Sequence, residues 1–330
     1  MTGQGVGFRG WVRDGVAGWD RFWFTPADSA TLSLIRVCAG AMLFYTHLVW
    51  SLGLDAFFGP HGWLPPEVMA KLPPPAGGWS YFYWIHSTTV LWGVHLLALV
   101  VFAMLTLGIF TRVTSILAFL AAVSYANRVA PAALFGLDDT NVMLAMYLMV
   151  GASGSYFSFD AWRARRRGRA PQASVATNVA IRLIQLHLCI IYVFSGMGKL
   201  LGHAWWDGTA MWGAISNQEY QSLDMTWLAN YPLTMDAVTQ VALYWEVFYI
   251  ALIWPRWTRP IALTMAVCVH GGIALFLGMK TFGLVMLIAN LAFISPNFVR
   301  RLLQRPRDPG GTAPAEQGRG EPRRAASRRH

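Results

Sequence analysis

Charge is what this chain has least of. Only 13% of its 330 residues are Asp, Glu, Lys or Arg, against 55% hydrophobic, and the mean hydropathy is +0.41. A soluble protein cannot hide that much apolar surface, so a soluble globular domain is excluded. Cysteine is equally scarce. Cys38, Cys189 and Cys268 each lie inside an apolar run, with no CxxC or other metal-ligand spacing. That argues against a disulfide framework, and no metal is predicted. A fixed-period repeat is also missing, which argues against a transporter built from symmetric halves. Residues 1–28 lack the compact apolar core and small-residue cleavage site of a signal peptide.

In place of these the chain has run after run of 18 or more mostly apolar residues, each able to cross a hydrocarbon core of ~30 Å. Such segments must satisfy their own backbone hydrogen bonds, so they are read as helices. The predicted fold is an all-α polytopic integral membrane helical bundle of about eight transmembrane spans. They fall at 29–51, 87–110, 113–130, 139–157, 175–200, 236–254, 258–279 and 281–297. Two long loops rich in aromatic residues, 52–85 and 201–234, are expected against the membrane surface. Residues 1–28 read as an interfacial amphipathic helix. Phe8, Trp11, Val12, Val16, Trp19, Phe22 and Trp23 share one face, and Arg9, Arg13, Asp14, Asp20 and Arg21 take much of the remainder. Residues 29–299 form the transmembrane domain. Residues 300–330 read as a basic disordered tail.

The net charge of +10 and pI of about 9.9 would suggest a nucleic-acid partner in a soluble protein. Here topology explains it, and no nucleic acid is expected. With the N-terminus inside, the inside segments hold Arg9, Arg13, Arg21, Arg112, the five arginines of 163–169, Arg256, Arg259 and nine arginines from Arg300 onward. The outside segments hold Lys71, Arg128, Lys199 and Lys280. This asymmetry predicts both termini cytoplasmic, in a bacterial-type inner membrane, with both aromatic loops facing outward.

Ionisable groups within spans each need an explanation. Glu246 is near the middle of the sixth span. It reads as a structural pair with Arg36 or Arg182, as an acid kept neutral by its surroundings, or as a group that orients a catalytic residue or carries a proton. His270, in the seventh span, is either bonded to a backbone carbonyl or a working group. His95 and His187 are weaker cases of the same kind. Arg36 and Arg182 are about ten ångströms deep and read as anchors or pairing partners. Lys199 closes the apolar run from Val175 to Leu200. It is either a snorkelling anchor or, in an apolar pocket beside Gly196 and Gly198, a general base. Asp138, Asp139, Asn127 and Arg128, at the same outer level, read as a solvated loop or as the polar rim of an outward cavity.

Several stretches together resemble one known family. They are LSLIRVCAGAML with Arg36, LGIFTRVTSILAFL, LDDTNVMLAMYLMV followed by Ser158-Phe159-Asp160, YVFSGMGKLLGHAWWDGTAM with Lys199, and HGGIALFLGMKTFGLVM with His270. Glu246 falls where that family carries an acidic residue in the sixth span. Their order and spacing, over roughly residues 25–300, is similar to the horizontally transferred transmembrane (HTTM) family, which includes vitamin K-dependent gamma-glutamyl carboxylase. The resemblance implies a gamma-carboxylase-like lyase chemistry, in which the lysine deprotonates vitamin K hydroquinone. The oxygenated product then takes a glutamate γ-proton, and carbon dioxide adds. It assigns Lys199 as the base, with His270 and Glu246 in support; Tyr192, Trp205, Trp206 and His95 are the candidates in this chain for holding the cofactor. Reduced vitamin K or menaquinol is the implied cofactor, and a Glu-containing protein or peptide the implied substrate. Membrane lipids are expected neighbours. The alternative is a non-enzymatic quinone- or lipid-binding scaffold or partner subunit. The carboxylase's double lysine is Gly198-Lys199 here, and a short basic tail stands where the carboxylase has a large extramembrane domain.

Overall fold

The computed structural model describes residues 8–69, 71, 78–129 and 133–303. Most of the tail, from 304, lies outside the described residues. Among the described residues there is no strand. Extended pairing is confined to a bridge between Ala27 and Ser174, with N···O distances of 3.1 and 3.0 Å.

Helix α1 (Phe8–Phe24) leads into α2 (Ala30–Trp50), where the Asp28 carboxylate accepts the Ala30 N–H at 2.8 Å. The first aromatic loop holds two short helices, α3 (Leu54–Phe58) and α4 (Pro66–Met69). Then come α5 (Thr88–Leu107), α6 (Thr111–Arg128), α7 (Gly136–Val150) and the short α8 (Phe159–Arg166). Helix α9 (Val175–Leu200) opens on Ser174, whose side chain accepts the Thr177 N–H at 3.1 Å. The second aromatic loop folds into α10 (His203–Trp206) and α11 (Ala210–Ile215). Helices α12 (Pro232–Leu252) and α13 (Arg259–Phe276) both carry Pro in the first turn, where its missing N–H needs no partner. Helices α14 (Lys280–Asn290) and α15 (Pro296–Leu303) complete the bundle.

A helix occupies each of the eight stretches predicted as spans. Four segments are long and apolar enough to cross a membrane by themselves: Ala30–Phe58, Thr88–Leu107, Val175–Leu200 and Arg259–Phe276. The others fall short for visible reasons. Helix α7 stops at Gly151 after 15 residues, which is ~22 Å at ~1.5 Å per residue. Helix α6 is diluted by Thr, Ser, Ala and Asn, and α12 carries Asp236, Gln240 and Glu246. The predicted eighth span is shorter than expected. Its helix ends at Asn290, and beyond Phe293 the chain turns by 112° into α15.

Two apolar cores hold the bundle. One joins α2, α7, α9, α12 and α14 through residues such as Leu32, Leu144, Leu188, Tyr192 and Tyr249. The other joins α2, α3, α5 and α6 around Leu43, Phe58, Phe102 and Tyr125. Between them Arg36 is fully buried and donates only to carbonyls: Ser153 (3.0 Å), Thr106 (2.8 Å), Phe157 (2.6 Å) and Leu105. Leu105 and Thr106 are in the last turn of α5, whose carbonyls run short of helical donors; Leu105 takes only the Gly108 N–H, at 3.1 Å, and the guanidinium caps that end. The neighbouring turn depends on Gly108 at φ 68°, where a Cβ would meet that of Ser158 at 2.2 Å. The Asp160 carboxylate closes the same junction by accepting from Thr111 N (2.7 Å), Thr111 Oγ1 (2.7 Å) and Phe110 N (3.2 Å). The two motif stretches LGIFTRV and Ser158-Phe159-Asp160 are thus two halves of one joint.

Candidate functional site

The site is built on the outer half of α9 and its crossing with α12. Gly196 makes the crossing close. A Cβ there would sit 3.0 Å from Val247 Cγ2 and 3.1 Å from Val247 N. The approach sets Glu246 beside the face of α9 that carries Ser195 and, one turn later, Lys199. Lys199 Nζ is ion-paired to Glu246 Oε2 and donates to Ser195 Oγ at 3.2 Å. Ser195 in turn donates to the same Glu246 oxygen at 2.9 Å. The Glu246 side chain is 7% exposed and that of Lys199 23%, so the pair is sheltered rather than bathed in solvent. The Lys199 ammonium also lies 5.1 Å from the Trp205 ring centroid, a cation–π contact that covers it from the loop side. Glu246 is therefore paired with Lys199, not with either arginine suggested by the sequence. Arg182 instead contacts the Phe22 ring and carbonyl and Gln185.

Lys199 and Glu246 form the polar end of a cavity of about 770 Å³. Its walls come from α11, α12 and α13 and are otherwise almost wholly apolar, with Met211, Ile215, Val241, Val269 and Phe276 among them. An apolar chamber with a few convergent polar groups is the usual form of a small-molecule site. Trp205 lines it.

The remaining predicted residues are dispersed. Trp206 is largely exposed and donates to the Leu200 carbonyl at 2.8 Å. Tyr192 and His270 are buried one layer behind the cavity, with Tyr192 Oη and His270 Nε2 2.6 Å apart. Asn290 Nδ2 donates to Tyr192 Oη (3.1 Å) and to the Met286 carbonyl (2.9 Å), while Tyr249 donates to Asn290 Oδ1 (2.7 Å). Tyr192 Oη thus accepts from Asn290 and shares a hydrogen bond with His270 Nε2, whose direction is set by the imidazole tautomer. His270 Nδ1 has no partner among the described residues. His270 is accordingly part of a buried network and makes no hydrogen bond to Lys199. His95 is farther away, in the other core, held between Ser51 Oγ (2.8 Å) and Tyr125 Oη (2.6 Å).

The four polar residues expected at the rim do not line the cavity. Asp138 accepts the Phe135 N–H at 3.1 Å and caps α7, with Asp139 beside it in the first turn. Asn127 donates to the Trp79 carbonyl at 3.0 Å. Arg128 is fully buried against the C-terminal carbonyls of α3. Asp138 and Arg128 thus serve helix ends, and Asn127 ties α6 to a loop carbonyl. At the C-terminal end of α10, hydrogen bonds from the Thr209 side chain and backbone hold the Asp207 carboxyl below its ordinary range, and His203 adds to the effect.

Ser195 is the site residue that sequence reading missed. It lies four residues before Lys199, on the same helical face, and that spacing was the available signal.

The model of the HTTM domain family matches residues 24–298, which contain every residue of this site. No curated protein and no solved structure matches the chain.

Proposed function

The chain belongs to the HTTM domain family and is an integral membrane protein of the carboxylase-related kind; from that premise we propose that it is a quinol-dependent membrane enzyme using Lys199 as its base. The observation that carries the reading is one contact, the Lys199–Glu246 pair among the walls of an apolar chamber. The chamber suits a ring with a hydrocarbon tail. Its volume falls within the ~300–1,000 Å³ of ordinary ligand pockets, and its walls offer an apolar tail no polar competitor. Met211, Ile215 and Val241 would hold such a molecule, and Lys199 would meet its polar edge. A quinol bound there would supply an acidic hydroxyl and two reducing electrons.

The protein's own part is proton handling. Glu246 is positioned to take a proton from the Lys199 ammonium, leaving a neutral amine at Nζ that can accept one from a hydroxyl at the chamber's end. Ser195 fixes the carboxylate by donating to Oε2. Trp205 shields the amine from loop water, which strengthens every charge interaction inside.

The test is hydroquinone-dependent oxygen uptake, and carbon dioxide fixation into Glu peptides, in membranes holding the unmutated protein or Lys199→Ala. The reading requires activity in the first and at least a hundredfold loss in the second, the lower end of what a general base contributes (~10²–10⁴). Inactivity of the unmutated protein would remove it. A second reading, a quinone- or lipid-binding scaffold, is favoured by the fact that the ammonium already has a carboxylate partner. Menaquinone-analogue binding that survives without turnover would support it.

We further infer eight spans with both termini in the cytoplasm of a bacterial-type cell. The support is a helix at each of the eight stretches and the arginine asymmetry. Cysteine labelling from each side, at Gly168 and at Ser216, tests this. Both positions labelled from one side would refute it.

A further inference from the structure

Away from the lysine site, a groove of about 780 Å³ runs between α8 and the segment leading into α9. Its floor is made of small residues, Ala152, Gly154, Ala161 and Ala164 among them, and Arg165 and Arg169 border it. Local structure puts those two arginines on one hollow. Helix α8 ends where Gly168 takes φ 71°, and the Arg169 N–H returns to the Ala164 carbonyl at 3.0 Å. Arg163, Arg166 and Arg167 do not line the groove, and Arg166 instead covers the Trp162 ring at 4.2 Å.

Among the described residues no carboxylate is ion-paired with Arg165 or Arg169. Asp160 does line the groove, but its oxygens accept three hydrogen bonds from Phe110 and Thr111 and are committed to the start of α6. Two free guanidinium groups over an open floor fit a phosphate, which the planar fork of Arg binds with two parallel hydrogen bonds.

The surroundings say which phosphate. Phe159 and Trp162 project from the same helix, 47% and 44% exposed. Ser174, on the groove wall, is bridged to Ala27 in the segment that follows α1, a helix whose Phe8, Trp11 and Trp19 are also exposed. Aromatic residues at this density belong at the headgroup level of a bilayer. We propose that this groove is a binding site for the headgroup of an anionic phospholipid, its phosphate held by Arg165 and Arg169. Phe159 and Trp162 flank the acyl chains. The site is independent of Lys199.

The test compares two double variants of equal charge loss, Arg165→Gln with Arg169→Gln and Arg163→Gln with Arg167→Gln. All four positions are exposed, and none is in the lysine site. The full chain in phosphatidylcholine nanodiscs is titrated with phosphatidylglycerol, and bound lipid is counted by native mass spectrometry. Loss of charge-assisted hydrogen bonds at the groove should weaken phosphatidylglycerol binding at least about tenfold. The control pair should change it by no more than about threefold, the residue of general surface attraction. Equal loss in both variants, or in neither, overturns the proposal. Competition by inorganic phosphate as effective as phosphatidylglycerol also overturns it, because the ligand would then be a free anion.

Discussion

The Lys199–Glu246 contact makes a quantitative demand on stability that does not depend on catalysis. Lys199→Met keeps the length and apolar stem of the side chain and removes its charge. Glu246 is then left 7% exposed with Ser195 as its sole remaining donor at that oxygen. Breaking an enclosed ion pair from one side costs ~3–5 kcal/mol. The Lys199 side chain is 23% exposed, so some water reaches the carboxylate and the expected loss is about 2–3 kcal/mol. Glu246→Gln is milder, about 1 kcal/mol, because the ammonium can turn to the loop and still finds an amide oxygen. The double variant has no orphaned charge. It should recover about 1.5 kcal/mol relative to the sum of the single losses, a coupling of the size seen for residues in direct contact. Thermal unfolding in one detergent reads this directly, at roughly 2 °C per kcal/mol for a chain of this length. Losses that simply add across the three variants would refute the contact, and with it the proton path from Nζ to the carboxylate. Lys199→Met as stable as the parent would do the same.

Other consequences can be checked with the same unfolding assay. Gly196→Ala presses a methyl against the Val247 backbone and should cost about 1–3 kcal/mol. Gly198→Ala, two residues on with nothing within 4 Å, should be neutral or stabilising by up to ~1 kcal/mol. Gly108→Ala combines φ 68° with a 2.2 Å clash against Ser158 and should lower folded yield more than Gly196→Ala does. The Asp207 carboxyl is held below its ordinary range by Thr209. Its contribution is therefore complete above the unfolded carboxylate value near ~4 and is lost as pH falls through the lower folded value. Tryptophan fluorescence of the α10 loop should show an acid step below pH ~4 that disappears in Asp207→Asn.

How much of this was legible beforehand differs by residue, and the differences have a common physical source. Helix positions could be read because hydrocarbon thickness sets segment length, and every predicted stretch holds a helix. Lys199 could be singled out because one charge closes a long apolar run. Rotation about the helix axis could not be read. In a water-soluble bundle the polar face reports which side looks outward. In α5 lipid-facing and core-facing positions are both apolar, so His95 gave no sign of whether it faced a cavity or the second core. The rim residues failed for a related cause. The predicted topology puts Asp138, Asn127 and Arg128 at the level of Lys199, but each is consumed by a helix end or loop carbonyl close to it in space.

Arg36 shows the limit of depth arguments. Its distance from a helix end predicted snorkelling or a carboxylate partner, whereas its acceptors are carbonyls 69 to 121 residues away in sequence. Those acceptors exist because Gly108 and the Ser158–Asp160 turn fold beneath it, a joint that periodicity does not encode. The glycines carry the same lesson in sharper form. Gly196 and Gly198 are indistinguishable in the motif, but one touches Val247 and the other touches nothing. In a bundle whose helices meet through small residues, contact with a partner separates a structural glycine from an incidental one. The geometry of the candidate site therefore follows from the α9–α12 crossing more than from the lysine. A lysine at the same place on a helix held further from α12 would have lacked Glu246, and would have been the snorkelling anchor that its sequence position equally allowed.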